Sequence, residues 1–327
     1  KNPMSNLHTY LRLLDTKTNK FFDREVGQKM SNMDEAKLRG YYNQMDYMSN
    51  LANEIFGFDK GMQGVMDNKI VNTMHEVTMA NGKKKKFSGG ELMNMYALSL
   101  NPDTKKMMIE FGKRDYQMSE QTFEEIEGIY NKDGKIEKEG ILDDKIKDLV
   151  KLTVDYLSNQ YYQSINQVYQ DVNYVSLPRT KQYFPRQTET LTTQKRKEMI
   201  KDMAEGNFNS VLTAQYASAL KNRTAQVGEI QIQDVDFFNV LEDHFKDMEK
   251  FKAYAEGVKD ISAIFQADGI NKALTITGSK QIINQLINNS VNPSLMANTV
   301  QAQTVNKILS RFVLGVLANK SIQILKQ

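Results

Sequence analysis

Cysteine is absent from all 327 residues. Its absence excludes disulfides, zinc–thiolate sites, iron–sulfur clusters and a thiol nucleophile. Histidine is nearly absent, with His8, His75 and His244 alone, so a multi-histidine metal site has little to draw on. Proline occurs five times, which leaves room for long helices. Long apolar runs are missing as well. The longest, Phe312 to Ala318, falls far short of the roughly 18 residues of a membrane span. No apolar segment of a secretory signal follows Lys1-Asn2-Pro3-Met4. Neither sign of charge dominates, with 43 Lys and Arg against 40 Asp and Glu. A dedicated nucleic-acid binder is usually far more basic.

What is present suits a packed helical chain. At roughly 150 residues per domain, the length corresponds to about two domains or one long helical assembly. Hydrophobic residues make up 40%, enough for a sizeable core. The chain starts on Lys1 and ends on Gln327 inside a helical pattern, and so reads as a piece of a larger one. Three segments are expected: an N-terminal helical stretch over 1–68, a hairpin with helices over 69–187, and a C-terminal helical part over 188–327 that continues beyond.

The hydrophobic period carries most of the prediction. Leu7, Tyr10, Leu11 and Leu14 share one helix face. Tyr41, Met45, Met48, Ala52 and Ile55 alternate at four and three, the spacing of a helix–helix seam, which glycines between Phe56 and Gly64 end. Met74 to Ala80, Asn81-Gly82 and Lys83 to Phe87 read as a β-hairpin. Asn-Gly is the favoured pair for a type I′ turn, where both central residues need positive φ. Ser88-Gly89-Gly90-Glu91 has the spacing of a capping box, and the helix it starts carries Leu92, Met95, Tyr96 and Leu100 before stopping at Asn101-Pro102. Ser119 starts a short helix with Phe123, Ile126 and Ile129/Tyr130, and a polar turn covers Asn131 to Gly140. A long helix then places Ile146, Leu149, Val150, Thr153, Leu157, Tyr161, Ile165 and Val168 on one stripe. Pro178 and Pro185 bracket an extended link from Val175 to Gln187. In the second half, helices are expected over 190–205, after Asn209, after an Asp234 cap with Phe237, Leu241, Phe245, Met248 and Phe251 inside, around Gly269 and Gly278, and from Ser294 to the end.

Few residues form a recognisable chemical constellation. His75-Glu76 begins a His-Glu-x-x-His pattern, but Met79 stands where the second ligand belongs, and the segment reads as strand. Asn131 to Ile136 is similar to the middle of an EF-hand loop, yet Ile129 and Gly140 fall where its first and last acidic ligands belong, which favours a polar turn. Gly278-Ser279-Lys280 lacks the earlier glycine and strand of a phosphate loop. The run Lys83, Lys84, Lys85 and Lys86 has two readings: a phosphate contact, or a solvated strand that its lysines protect from edge pairing. Tyr161, Tyr162, Tyr169 and Tyr174 have two as well, base stacking or helix packing with wet hydroxyls. No Ser/His/Asp order suggests a triad, and no acid pair stands out.

One stretch is more specific. From Asp148 to Arg186 a helix leads through a Tyr- and Asn-rich run and an extended link to Tyr183-Phe184-Pro185-Arg186. This resembles a module in the large polyvalent proteins of bacteriophages, where a long helix precedes a Tyr-Phe-Pro or Tyr-x-Pro element and a basic residue. Ser88 to Tyr96 is similar to the same family's Thr/Ser-x-x-Glu-x-x-x-x-Tyr helix start. Ser218 to Arg223 resembles its arginine position, and Leu317 to Gln327 its closing helix. The likeness covers about residues 70–327. It departs from the pattern shortly before Leu177-Pro178, where Asn173 sits in place of a glycine.

The resemblance implies a module of a very large protein packaged in the virion and delivered with the genome. Such modules often flank enzymatic domains without being enzymes themselves. It makes Tyr183, Phe184, Pro185, Arg186, Arg223 and Gln327 architectural residues. Its implied partners are other virion proteins (capsid, portal or tail) and the rest of its own chain. Its implied places are the virion interior and then the host cytoplasm, and it implies no cofactor. A chain threaded through a narrow tail must unfold and refold, and the lack of cysteine removes one obstacle. The expected fold is all-α, an elongated multi-helix assembly with one small β-hairpin near residues 70–87. The leading expectation of function is a non-enzymatic structural and packaging module. An alternative is the helical accessory part of a nucleic-acid-directed phage enzyme, such as a packaged polymerase or an antirestriction factor. A third class, a module coating phage DNA, fits the near-neutral charge poorly.

Overall fold

A computed structural model describes Thr9, Leu11, Arg12, Asp15 and residues 20–58, 60–110, 117–131, 133, 135–186 and 236–276. These residues belong to two compact units. One holds the residues up to Met33 and those from Gly257 on; the other holds 34–186 and 236–256.

Within the first unit, a π-helical turn over Asp23–Gln28 precedes the start of helix α1, Lys29–Phe56, which from Asp34 on belongs to the second unit. Asp15 fixes that start, because its carboxylate accepts from the backbone N–H groups of Phe22 (2.8 Å) and Asp23 (2.6 Å). Leu11, Val26 and Met30 are buried here, and Phe22 stacks on Phe265 at 5.9 Å. Most of the Leu7 to Leu14 face lies outside the described residues.

The second unit is built around one helix buried on every side. After α1 come α2 (Gly61–Met66) and the single turn α3 (Lys69–Asn72), then the antiparallel strands β1 (Met74–Thr78) and β2 (Lys84–Ser88), then α4 (Gly89–Ser99). Every residue of α4 but Glu91 is buried. A helix that is apolar all round belongs inside a core, and α4 touches α3, β2, α5 (Pro102–Glu110), α6 (Glu120–Glu127) and α7 (Asp144–Tyr156). The expected capping box starts it. The Ser88 side chain accepts from Glu91 N–H at 3.2 Å, and the Glu91 carboxylate accepts from Ser88 N–H at 2.6 Å. Because these bonds fix the entry of the central helix, Ser88→Ala is expected to lower stability by about 1 kcal/mol, read as a shift of the urea midpoint at constant slope.

The hairpin stands where the sequence puts it, with Met74 opposite Ser88 and Thr78 opposite Lys84. Its turn differs from the expected type I′. Gly82 has φ 75°, but Asn81 is not among the residues of positive φ, so this is no type I′ turn. Met79 N–H donates to Lys83 O (2.9 Å), and Gly82 N–H to Met79 O (2.9 Å), leaving a three-residue loop that ends on a left-handed glycine.

The α4 pattern does stop at Asn101-Pro102, but a new helix starts there. Pro102 takes the first position of α5, and the Asn101 side chain accepts from Thr104 N–H at 2.9 Å. Ile129 and Tyr130 do not continue α6. They belong to β3 (Gly128–Tyr130), which pairs with β4 (Ile136–Glu139), so a second short hairpin occupies most of the expected polar turn. Helix α9 (Phe237–Gln266) starts on Asp236 instead of Asp234, the Asp236 carboxylate accepting from Phe238 N–H at 2.8 Å. A last helix, α10, covers Asp268–Ile276.

The long helix is one continuous run from α7 through a π-helical stretch, Leu157–Tyr161, to α8 (Tyr162–Asn173). Its whole expected stripe from Ile146 to Ile165 is buried, with Val168 half-buried. In α9, Phe237, Leu241, Phe245, Met248 and Phe251 are all buried, as the pattern requires. The α1 seam is shifted from expectation. Met45 faces out, and Gln44 is buried in its place beside Met48, Leu51 and Ala52. The reason is a polar partner, since the Glu249 carboxylate accepts from Gln44 Nε2 at 3.0 Å.

Candidate functional site

The Tyr183-Phe184-Pro185-Arg186 element lies at the end of an extended link that leaves α8 through Tyr174, a residue in the left-handed region at φ 60°. Few of the link's own backbone groups pair with one another, so side chains of the long helix hold it. Leu177 N–H donates to Asn166 Oδ1 (2.8 Å), and Tyr162 OH donates to Leu177 O (2.6 Å). The Ser158 hydroxyl accepts from Tyr183 N–H and donates to Val154 O, both at 2.7 Å. From the other side, Asn101 Nδ2 donates to Lys181 O at 2.8 Å.

With the backbone so placed, the side chains enter the core. Phe184 is fully buried and stacks on Phe237 with centroids 5.2 Å apart and rings nearly parallel. Tyr183 is buried against His244, centroids 5.6 Å apart, and Pro185 is buried beside them. Arg186 is half-buried. Its Nη1 donates to Met107 Sδ at 3.4 Å, and burial pulls its pKa below the ordinary arginine range. Arg223 and Gln327 lie outside the described residues.

Behind this element runs a buried polar network that the hydrophobic pattern did not reveal. Glu249 is 3% exposed yet sits among the apolar residues of α9. Its Oε1 accepts from Gln44 Nε2 (3.0 Å) and pairs with Lys252 Nζ (2.9 Å). Gln44 Oε1 in turn accepts from Tyr156 OH at 2.6 Å. Burial, with Tyr47 and Glu249 adding to it, pushes the Tyr156 pKa up to about 12. Tyr161 is pushed well above the usual tyrosine range, by burial first and then by the Glu249 charge. Its hydroxyl lies near that carboxylate without full hydrogen-bond geometry to any partner. The Tyr161 ring meets Phe245 edge-on at 5.3 Å, and Lys252 Nζ lies 5.5 Å from its centroid. The one sequence signal was the i, i+3 pair Glu249 and Lys252 on a helix otherwise read by its phenylalanines.

The other candidates are dispersed. Lys84 and Lys86 flank the Glu76 carboxylate at 3.9 and 3.8 Å, while Lys85 lies over the Phe87 ring at 5.1 Å, so strand alternation sends neighbouring lysines to opposite faces. Lys83 is an exposed loop residue whose N–H donates to Asn81 Oδ1 at 3.0 Å. His75 is a hairpin residue, its Nε2 at 2.9 Å from both Thr73 Oγ1 and Ile70 O. Asn131 Oδ1 accepts from Asp133 N–H (3.0 Å) and Lys135 N–H (2.8 Å) and so shapes the β3–β4 turn. Among the described residues no group of three or more His, Asp or Glu could hold a metal ion. Of the tyrosine run, Tyr161 is buried, Tyr162 is half-buried, Tyr169 leans on Phe251 at 6.4 Å and Tyr174 is exposed. Gly278-Ser279-Lys280 lies outside the described residues. Among the described residues, no helix is long and apolar enough to cross a membrane.

Compared with protein-family models, curated proteins and solved structures, the chain matches none.

Proposed function

We propose that this chain is a non-enzymatic structural and packaging module of a large bacteriophage virion protein, carried inside the particle and delivered with the genome. The observation that carries the reading is where Tyr183, Phe184 and Pro185 go. All three are buried, and Phe184 is stacked on α9, so the element acts as an anchor that turns the chain back into a helical core. That is the architectural role its resemblance to phage polyvalent proteins implies. Behind it, Gln44, Tyr156 and Glu249 hydrogen-bond in a chain across α1, α7 and α9, an arrangement that fixes helix register. Its partners under this reading are other virion proteins and the remainder of its own chain.

Mass spectrometry of purified particles of the phage that encodes the chain tests the proposal. Recovery of its peptides from intact, nuclease-treated virions is expected. Their absence, with host-cell expression demonstrated, overturns it. Magnesium-dependent nuclease or polymerase activity of the 327-residue chain would favour the accessory part of a phage enzyme instead.

A further inference from the structure

The link that anchors Phe184 on its inner side forms a wall of a cleft on its outer side. The cleft measures about 720 Å³, within the range of small-ligand pockets. Leu100 and Val154 contribute apolar surface; Lys151, Asp155, Arg179 and Lys181 contribute charge. Three cations thus face one carboxylate, in a chain whose overall charges nearly cancel.

The carboxylate is already engaged. Asp155 Oδ1 accepts from Asn159 Nδ2 at 2.7 Å, and Asn159 Oδ1 accepts from Arg179 Nη2 at 2.6 Å. The Arg179 guanidinium also lies over the Tyr162 ring at 5.8 Å, and the Tyr162 hydroxyl is tied to Leu177 O. Edge and face of the guanidinium are therefore both held, which leaves its other N–H groups preorganised for a ligand. The Lys151 charge acts on the half-buried Glu127 carboxylate outside the lining, whereas Lys181 is an exposed residue that forms no ion pair within 4.0 Å among the described residues. Two backbone irregularities meet at the same place. The π-helical stretch Leu157–Tyr161 brings Ser158 and Asn159 to the wall, and Gln182, another lining residue, has φ 50°. Such features cluster where a protein holds something.

We propose that this cleft binds the phosphate of a small phosphate monoester of sugar-phosphate size. A dianion matches the surplus of two cations, and the guanidinium fork matches phosphate oxygens in a way a lone ammonium does not. The lining holds no aromatic ring on which a base could stack. A compact body resting on the half-buried Leu100 fits it better.

Isothermal titration of the full 327-residue chain with ribose 5-phosphate tests this, with ribose, inorganic phosphate and a 20-nucleotide single strand as the other arms. Ribose 5-phosphate is expected to saturate at one per chain, inorganic phosphate to compete with it, and ribose to give no heat. Arg179→Gln is expected to weaken binding roughly tenfold or more, what loss of a charge-assisted hydrogen bond gives. Lys181→Gln should act in the same direction, and because Lys181 is exposed its thermal midpoint should stay at the wild-type value. The pair Lys84→Gln and Lys86→Gln should leave the affinity unchanged. No saturation by ribose 5-phosphate, equal affinity in Arg179→Gln and wild type, or binding of the oligonucleotide alone would each overturn the proposal.

Discussion

Replacing Phe184 by alanine is expected to lower the unfolding free energy by about 3–5 kcal/mol, the cost of truncating a fully buried phenylalanine. Two terms add. The ring loses its transfer free energy, and the stack on Phe237 leaves a void between the link and α9. Collapse cannot close that void cheaply, because the link backbone is pinned on both sides by Ser158 and Asn101. Urea denaturation followed by far-ultraviolet circular dichroism reads the change as a lower midpoint at constant slope. A loss under about 1 kcal/mol would mean the element lies on the core without holding it, and the architectural reading would fall with it. Tyr183→Phe, which keeps the ring and deletes only the hydroxyl, should cost far less.

How much of this was legible beforehand depends on which force placed each element. Where burial of one helix face decides, the sequence was sufficient. The stripe from Ile146 to Ile165 and the phenylalanine face of α9 are buried as their period requires, and the Ser88–Glu91 box caps α4. The failures share a different cause, since a specific polar bond, local or distant, or an odd backbone angle decided each one. Asn101 opens a new helix directly after α4, which a Pro-based stop signal does not distinguish from a loop. Asn131 folds a polar turn into a hairpin. Gly82 alone takes positive φ, and the extra loop residue changes the turn type. Met45 and Gln44 are adjacent, and periodicity chose the apolar one, although a carboxylate 205 residues away makes the polar one the buried residue. The phosphate cleft was illegible for the same reason. Lys151, Asn159 and Arg179 are unremarkable in sequence and acquire meaning only when the link folds back over the π-helical stretch.

Glu249→Ala is expected to destabilise by about 3 kcal/mol, the lower end of the range for breaking a buried pair, because Lys252 keeps some access to water. The loss has three parts: Lys252 is left without its anion, Gln44 without an acceptor, and the helix face with a void. Position 40 supplies a sharper test of the same network. A Cβ on Gly40 would collide with the Glu249 carboxylate, and that carboxylate cannot swing aside freely while Gln44 and Lys252 hold it. Gly40→Ala in the wild-type chain should therefore cost about 1–3 kcal/mol by overpacking. In the Glu249→Ala background the obstruction is gone. There the same change should stabilise by up to about 1 kcal/mol, because alanine is the better residue inside helix α1. A reversal of sign between the two backgrounds is the signature of direct contact, and simple additivity would show that Gly40 is not there to make room for the buried carboxylate. The network also has a pH signature. Tyr156 ionises near its ordinary value of 10.0 once unfolded but near 12 when folded, so the native state binds more protons between those limits. Stability is then fully present below pH 10 and falls as pH rises toward 12, and Tyr156→Phe should flatten that alkaline decline.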